Sequence, residues 1–428
     1  MKKRFLMVLS LLAALALLGG CAYLPVMTGH STETTAVTSS ADGTVTISAE
    51  EYARYQKLDE LLEIMNYMEN DYYKELDEQT LLDGAAYGMT LAAGDPYTFY
   101  YTPEDYASMW SDDTGEYEGV GMQITANNTT GVCTISRVFK DSPADKAGVQ
   151  RGDILYRVGD DMLVTSANLD DAVALIRGEP GTTADVTFLR GEEEIRMEIP
   201  RAAIKENWVD SAMLEDSIGY IVVYEFSSGV AAEFTTALEE LQKQGIRGLI
   251  IDLRDNPGGW VDQADTIADL FLDKGVMTTL SYRSGATYNY YTTDGKTDIP
   301  LVILINENSA SASEMLTGAL QDRAGATAVG VTSYGKGIVQ DVVDIGSRGA
   351  GMQLTIAEYL TPNGRHIHGV GIEPDVESPL PEGDNGDYGL ADPDDPQLNQ
   401  AIEVMKQKLD GTFVQPEKTD PEEPADAA

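Results

Sequence analysis

The sequence predicts an α+β protein of several domains: a small helical unit, a mixed unit of short strands, and a larger α/β core. Three observations carry this. Apolar residues recur at helical spacing between Ala49 and Met109. Short alternating strands, broken by Gly and Pro, fill the stretch from Gly115 to Ala202. From Ile204 onward, continuous apolar, β-branched runs alternate with amphipathic helices, which is the pattern of a buried sheet flanked by helices. A chain of 428 residues has room for two or three such cores.

The N-terminus precedes all of these. Met1-Lys2-Lys3-Arg4 is a basic start, and Phe5 to Leu18 is an apolar run too short to span a bilayer comfortably. Residues 1–20 therefore read as an export signal. Leu18-Gly19-Gly20-Cys21 looks like a bacterial lipoprotein processing site, which makes Cys21 the lipid-carrying residue and the outer face of a bacterial membrane the expected location. Cys133 is the one other cysteine, so with Cys21 lipidated no intrachain disulfide can form. Residues 21–48, rich in Thr, Ser, Ala and Gly without periodicity, are expected to be a flexible tether.

Net charge narrows the partners. The chain carries a formal charge of -42, with thirteen acidic and three basic residues among the last 48. Nucleic acid is excluded as a partner, because phosphate neutralisation needs a basic face and none is visible.

In the helical unit, 49–114, Leu58, Leu61, Leu62, Met65 and Met68 share one face, as do Leu81, Leu82, Ala85, Ala86, Met89 and Leu91. These stripes are expected to form that unit's own core, with a second copy of the chain as a candidate partner. Gly94-Asp95-Pro96-Tyr97 ends the second helix.

In the second unit, 115–202, glycines at Gly119 and Gly121 lead into a strand at Met122-Gln123-Ile124. Another strand runs from Val132 to Val138, and a helical turn lies at Ser142-Pro143-Ala144. The strand from Ile154, a helix from Leu169 to Ile176 and a hairpin across Arg190-Gly191-Glu192-Glu193 complete it. This order, with Ser-Pro-Ala, Ala-Gly-Val and Gly-Asp-Ile-Leu inside it, resembles a PDZ domain. The resemblance implies that protein or peptide C-termini add a strand there, with their carboxylate held by the backbone of Val120, Gly121 and Met122. It also implies a side-chain pocket lined by Ile124, Ala172 and Ile176.

The third unit, 203–380, alternates strands and helices. Ile218–Val223, Gly248–Leu253 and Leu301–Ile305 read as buried strands. Ala231–Gln244, Asp262–Leu272 and the stretch from Glu314 read as helices. Past it, 381–428 is acidic, with one helix near Gln397–Leu409 and a disordered tail.

Candidate chemistry lies at Ser309-Ala310-Ser311-Ala312-Ser313-Glu314, where a strand turns into a helix. A serine on such a turn can project its hydroxyl beside helix-start amides, but it needs a base. His30 lies in the tether. His366 and His368 read as exposed residues, although a triad or metal role is open to them, and no further ligand cluster supports a metal. Lysine is the other base, and it serves only where desolvation or local positive potential lowers its pKa. Lys336 lies between two glycines, and in an extended strand it shares a face with Ile338 and Gln340. From spacing alone the better reading is a surface lysine in a glycine-rich turn.

Ser-Ala-Ser-Ala-Ser-Glu, then Tyr-Gly-Lys-Gly-Ile-Val-Gln, after Asp-Leu-Arg-Asp-Asn-Pro-Gly-Gly, resembles the carboxyl-terminal processing peptidases, a PDZ-containing serine protease family. The resemblance spans about residues 50 to 410. It implies a core of the crotonase or ClpP type, Ser311 as nucleophile, Lys336 as general base and Gln340 as the residue that orients it. Oxyanion donors are then expected from Ala312 and from Gly258 or Gly259. No metal or organic cofactor is implied. The expected activity is cleavage near protein C-termini through an acyl-enzyme. The alternative is a non-catalytic peptide-binding adaptor lipoprotein with a degenerate protease fold; a His366-dependent hydrolase is more distant.

Overall fold

The computed structural model describes residues 38–39, 45–113, 116–127, 130–293, 295, 297–384, 386 and 388–414. The expected export signal, Cys21, most of the tether and the tail from residue 415 lie outside the described residues. The chain divides into two compact units. One takes in residues up to Tyr106 together with Gln340–Thr355, and the other Ala107–Val339 together with Ile356 onward.

In the first of these, β1 (Thr38–Ser39) pairs antiparallel with β2 (Val45–Thr46). Helix α1 (Ala49–Gln56) begins at Ser48, whose hydroxyl accepts from Glu51 N at 3.1 Å while the Glu51 carboxylate accepts from Ser48 N at 2.8 Å. This is a reciprocal cap. Helices α2 (Asp59–Asn70) and α3 (Glu78–Leu91) follow, then β3 (Phe99–Tyr101) and α4 (Pro103–Asp113). None of α1, α2 and α3 has a buried residue, and Leu58, Leu61, Leu62, Ile64 and Met89 are exposed. The expectation that these stripes form a core is not met. Short helices meeting over a small area cannot cover two apolar faces within one chain. What is buried in this unit lies around Tyr97, Thr98, Tyr100 and Gln353. There the Tyr100 hydroxyl donates to Asp83 at 2.8 Å, Arg348 reaches Asp83 at 3.1 Å, and β3 pairs with residues 351–353.

The larger unit opens with β4 (Glu116–Gly119), β5 (Met122–Ala126), β6 (Cys133–Val138) and the short helix α5 (Pro143–Ala147). Then come β7 (Ile154–Val158), β8 (Met162–Leu163), α6 (Leu169–Ile176), β9 (Thr183–Arg190), β10 (Glu193–Pro200) and β11 (Ala202–Lys205). The sheet runs β10-β9-β7-β6-β5, so β5 stands at its edge, and β11 pairs separately with β4. Leu155, Val186, Phe188, Ile135 and Ile199 form the closed core beneath α6.

The α/β core continues with β12 (Val209–Met213), β13 (Ile218–Val223), α7 (Val230–Lys243), β14 (Gly248–Asp252) and α8 (Val261–Asp269). After them come β15 (Gly275–Tyr282), β16 (Thr287–Thr292), β17 (Leu301–Ile305), α9 (Ala312–Ala324) and β18 (Thr327–Gly330). The order closes with β19 (Ile338–Ile345) and β20 (Ala350–Leu360), of which Gln340–Thr355 belongs to the first unit, and with β21 (Val376–Glu377) and α10 (Pro396–Asp410). β13, β14, β17, β18 and β21 are parallel neighbours, and β12 adds antiparallel at one edge. Every residue of β13, β14, β17 and β18 is buried, as a sheet covered on both faces requires. Leu398, Ala401, Val404 and Met405 of α10 cover one of those faces.

The chain leaves β14 through a buried ion network. Arg254 holds Asp252 at 2.6 Å and Asp395 at 2.7 Å, and the Tyr220 hydroxyl donates to Asp252 at 2.6 Å. Asp395 caps α10, accepting from Gln397 N and Leu398 N at 3.0 Å each. The network therefore fixes the start of the turn that runs from Leu253 to Gly259 against a second element.

Asp265 of α8 is a stability liability. Burial first, then Asp269 and Asp262, push its carboxyl up to about 6, and among the described residues its Oδ1 has no hydrogen-bond partner. Between about pH 4 and pH 6 the native state holds more protons than the unfolded chain, so stability falls as pH rises through that window. Asp265→Asn is expected to raise the thermal midpoint by roughly 2–4 °C at pH 7.5 and to leave it unchanged at pH 4. Calorimetry at the two pH values checks this; a gain of equal size at both would contradict it.

Candidate active site

The three serines after β17 differ in what their hydroxyls do. Ser309 Oγ donates to Leu253 O at 2.7 Å and accepts from Asn306 N at 2.9 Å. Ser313 Oγ donates to Asn256 O at 3.0 Å. The outer two thus hold the turn after β14 against the start of α9. Ser311 is the residue before α9, 4% exposed, with φ 55° and ψ -116°. A non-glycine residue held at such angles is strained, and the surrounding contacts must over-determine it.

Those contacts come from the turn itself. Asn256, fully buried, donates through Nδ2 to Val223 O at 2.7 Å, accepts at Oδ1 from Gly258 N at 2.9 Å, and accepts at its carbonyl from Ala310 N at 3.0 Å. Gly258 sits at φ 104°, and a Cβ there would lie 2.6 Å from Ser311 Cβ and 3.0 Å from Ala312 N. Gly259, at φ 137°, lies against the Phe226 backbone, where a Cβ would meet Phe226 O at 2.5 Å. Phe226 N donates to Gly258 O and Trp260 N to Phe226 O, each at 2.8 Å. The Gly258 N–H is therefore already engaged.

Lys336 is 1% exposed. Strand β19 begins at Ile338, so Lys336 precedes it and does not lie within the expected strand. Its amide donates to a side chain instead, Glu314 Oε2, at 2.8 Å. The same Oε2 accepts from Ser311 N at 2.8 Å, while Oε1 accepts from Ser333 Oγ at 2.6 Å and Gly335 N at 2.7 Å. Burial pushes the Glu314 carboxyl up, and these four donors pull it back toward the ionised form. Tyr359, from β20, lies between the same two segments, its hydroxyl 2.9 Å from Ser311 O and 2.7 Å from Lys336 O.

Gln340, in the other unit, is buried; its Nε2 donates to Thr355 Oγ1 at 3.2 Å and its Oε1 has no hydrogen-bond partner. His366 and His368 are exposed, and His366 Nδ1 lies 3.7 Å from Glu358. Among the described residues no group of three or more His, Cys, Asp and Glu is arranged to hold a metal.

At the tail-reading candidate, Gly121 has φ 87°, and a Cβ would lie 2.3 Å from Ser142 Cβ. Ser142 Oγ donates to Gly121 O, and Phe139 N does so as well, both at 3.1 Å. Val120, Met122, Ala172 and Ile176 are buried in the core of this domain, with Ile124 packed against it. The Tyr117 phenol meets the same loop. Burial and then Glu206 push it up to about 12, against hydrogen bonds from the amides of Met122 and Gly121.

Sequence reading missed three contributors. In the sequence Asn256 stands out only as part of a motif, Glu314 only as a helix start and motif residue, and Tyr359 only as the end of a strand and the start of a further family-like stretch, Tyr359 to Arg365. Glu314 alone carried a signal, since Ser-x-x-Glu before an apolar helix marks a reciprocal cap.

Comparison with known proteins bears on the whole arrangement. The pattern of peptidase family S41 matches residues 217–378, that of the PDZ domain residues 134–190, and that of the activating protease CtpB N-terminal domain residues 15–105. The carboxy-terminal processing protease CtpA of Bacillus subtilis is 36% identical over 76% of this chain and 70% of its own length. The carboxyl-terminal-processing protease of Synechocystis sp. is 38% identical over 68% of this chain and 70% of its own. Among solved structures, a photosystem II D1 C-terminal processing protease is 26% identical, with a TM-score of 0.48 over 78% of this chain and 94% of that one. The chain belongs to peptidase family S41, as a carboxyl-terminal processing serine protease that carries a PDZ domain.

Proposed function

We propose that this serine peptidase docks protein C-termini on its PDZ domain and cuts near them through an acyl-enzyme at Ser311, with Lys336 as general base. The observation that carries the assignment is the division of labour among the serines. Ser309 and Ser313 spend their hydroxyls on the turn after β14, while Ser311 is held at a strained φ of 55°, its amide and that of Lys336 bonded to one carboxylate oxygen. A lysine buried away from water is the kind that can take a proton from serine near neutral pH. Gln340 keeps the role that the family pattern gives it, orienting the base. For the oxyanion, the Ala312 amide is one donor. Gly259 is preferred over Gly258 as the second, because the Gly258 N–H is already given to Asn256.

Substrate tails add to the edge of β5, with their carboxylate at Val120, Gly121 and Met122 and their side chains against Ile124, Ala172 and Ile176. Boundaries at 49–114, 115–202 and 203–380 follow from this division of tasks. An export signal at 1–20 and lipid attachment at Cys21 would put the enzyme outside the cytoplasm, on the outer face of a bacterial membrane. Among the described residues no helix is long and apolar enough to cross one. The exposed Leu58, Leu61, Leu62 and Ile64 favour a homodimer through the N-terminal helices, since one chain leaves them uncovered.

Labelling with a fluorophosphonate followed by peptide mapping tests the nucleophile: the adduct is expected on Ser311, and an adduct on Ser309 would refute the assignment. The docking step is tested with casein-derived peptides differing only in a free or amidated C-terminus. The free acid is expected to show a KM at least 10-fold lower. Equal constants would remove tail recognition, and binding without any cleavage would return the adaptor reading.

A further inference from the structure

We infer that Tyr359 is a positioning residue for acyl transfer, whose one buried hydroxyl holds the main chains of Ser311 and Lys336 in register. The inference rests on the Ser311–Lys336 assignment. Tyr359 is 1% exposed and among the largest fully buried side chains. Its hydroxyl lies 2.9 Å from Ser311 O and 2.7 Å from Lys336 O, and its own amide donates to Gly337 O at 3.0 Å. The residue thus grips the lysine segment twice, once through the side chain and once through the backbone. It is mounted firmly, since β20 pairs Tyr359 with Leu280 of β15.

Satisfying Ser311 O does not explain the hydroxyl. Ser311 O already accepts from Glu314 N and Met315 N, each at 2.9 Å, as the opening carbonyl of α9. The phenol's single proton is therefore shared between a carbonyl that the helix has already satisfied and the closer Lys336 O, 25 residues away in the chain. Glu314 does the matching task on the amide side, accepting from Ser311 N and Lys336 N. Nucleophile and base are in this way tied at both N–H and C=O, one carboxylate and one phenol spanning the two segments. Burial and the neighbouring Glu314 hold the phenol well above its usual range, which favours the protonated, donating form.

The test compares wild type, Tyr359→Phe, Ser311→Ala and Lys336→Ala as full chains, with fluorescein-labelled casein as substrate. Tyr359→Phe is expected to lower kcat about 10- to 100-fold with KM changed less than about twofold, since a small misplacement of reacting groups costs rate and not binding. Its fluorophosphonate labelling rate, taken per folded molecule from near-ultraviolet circular dichroism, is expected to fall by the same factor. A kcat within twofold of wild type, or a loss explained wholly by a smaller folded fraction, overturns the inference. Full activity in Ser311→Ala would instead overturn the dyad on which it rests.

Discussion

Ser311→Ala is expected to abolish peptide-bond cleavage, lowering kcat by about 10⁴- to 10⁶-fold, the range seen when a nucleophile is removed from a group that acts as a unit. Lys336→Ala should cost nearly as much, and the double variant little more than either alone. An unassisted serine hydroxyl is a weak nucleophile, and a base without a nucleophile has nothing to deprotonate. Lys336→Arg should not rescue, because a guanidinium stays charged and cannot accept the proton. His366→Ala should cleave at the wild-type rate, its side chain being exposed and near Glu358. Initial rates on labelled casein with wild type and the five variants check this. Additive losses in the double variant would mean that serine and lysine act separately.

Gly258→Ala carries the second largest effect. The new methyl group would fall 2.7 Å from Ala310 O and 2.6 Å from Ser311 Cβ, at a φ of 104° that side chains rarely adopt. Backbone is what it meets, so relief comes only by moving the elbow or the turn. The strain costs about 1–3 kcal/mol. The displacement falls on the amides expected to stabilise the oxyanion, where losing one donor lowers kcat by about 10²- to 10³-fold. The expected result is a kcat loss of that size, with a lower thermal midpoint and a KM close to wild type. A KM effect alone would place the turn in substrate binding, not in transition-state stabilisation.

Much of the architecture was legible because the patterns were long and unmixed. β17 and α6 have the bounds that apolar runs and breakers predict, Leu301–Ile305 and Leu169–Ile176. β15 and β16 were not legible, since Thr, Ser and Tyr dominate them and no strict alternation marks a face. The stripes of α2 and α3 could be read, but not their surroundings, because periodicity tells that a face is apolar and not what covers it. At the site the same limit applies. Lys336 was indistinguishable from a surface lysine until the family pattern singled it out. Its place is fixed by Glu314 and Tyr359, residues 22 and 23 positions away in the chain. A hydrogen bond closed over that distance leaves no local trace in a sequence.

The Glu314 carboxylate collects donors from Ser311, Ser333, Gly335 and Lys336, and Tyr359 arrives later in the chain than any of them. This sets a timetable. A chain emerging from its N-terminus presents the elbow first, with nothing to hold it at a strained φ. The lysine segment must then fold back onto α9, and β20 must close over both. Contacts of this sequence separation form late in folding. Catalytic competence therefore waits on contacts that close over 22 to 48 residues, and a copy folded short of β20 lacks them. For a protease, that delay is a safeguard written into topology.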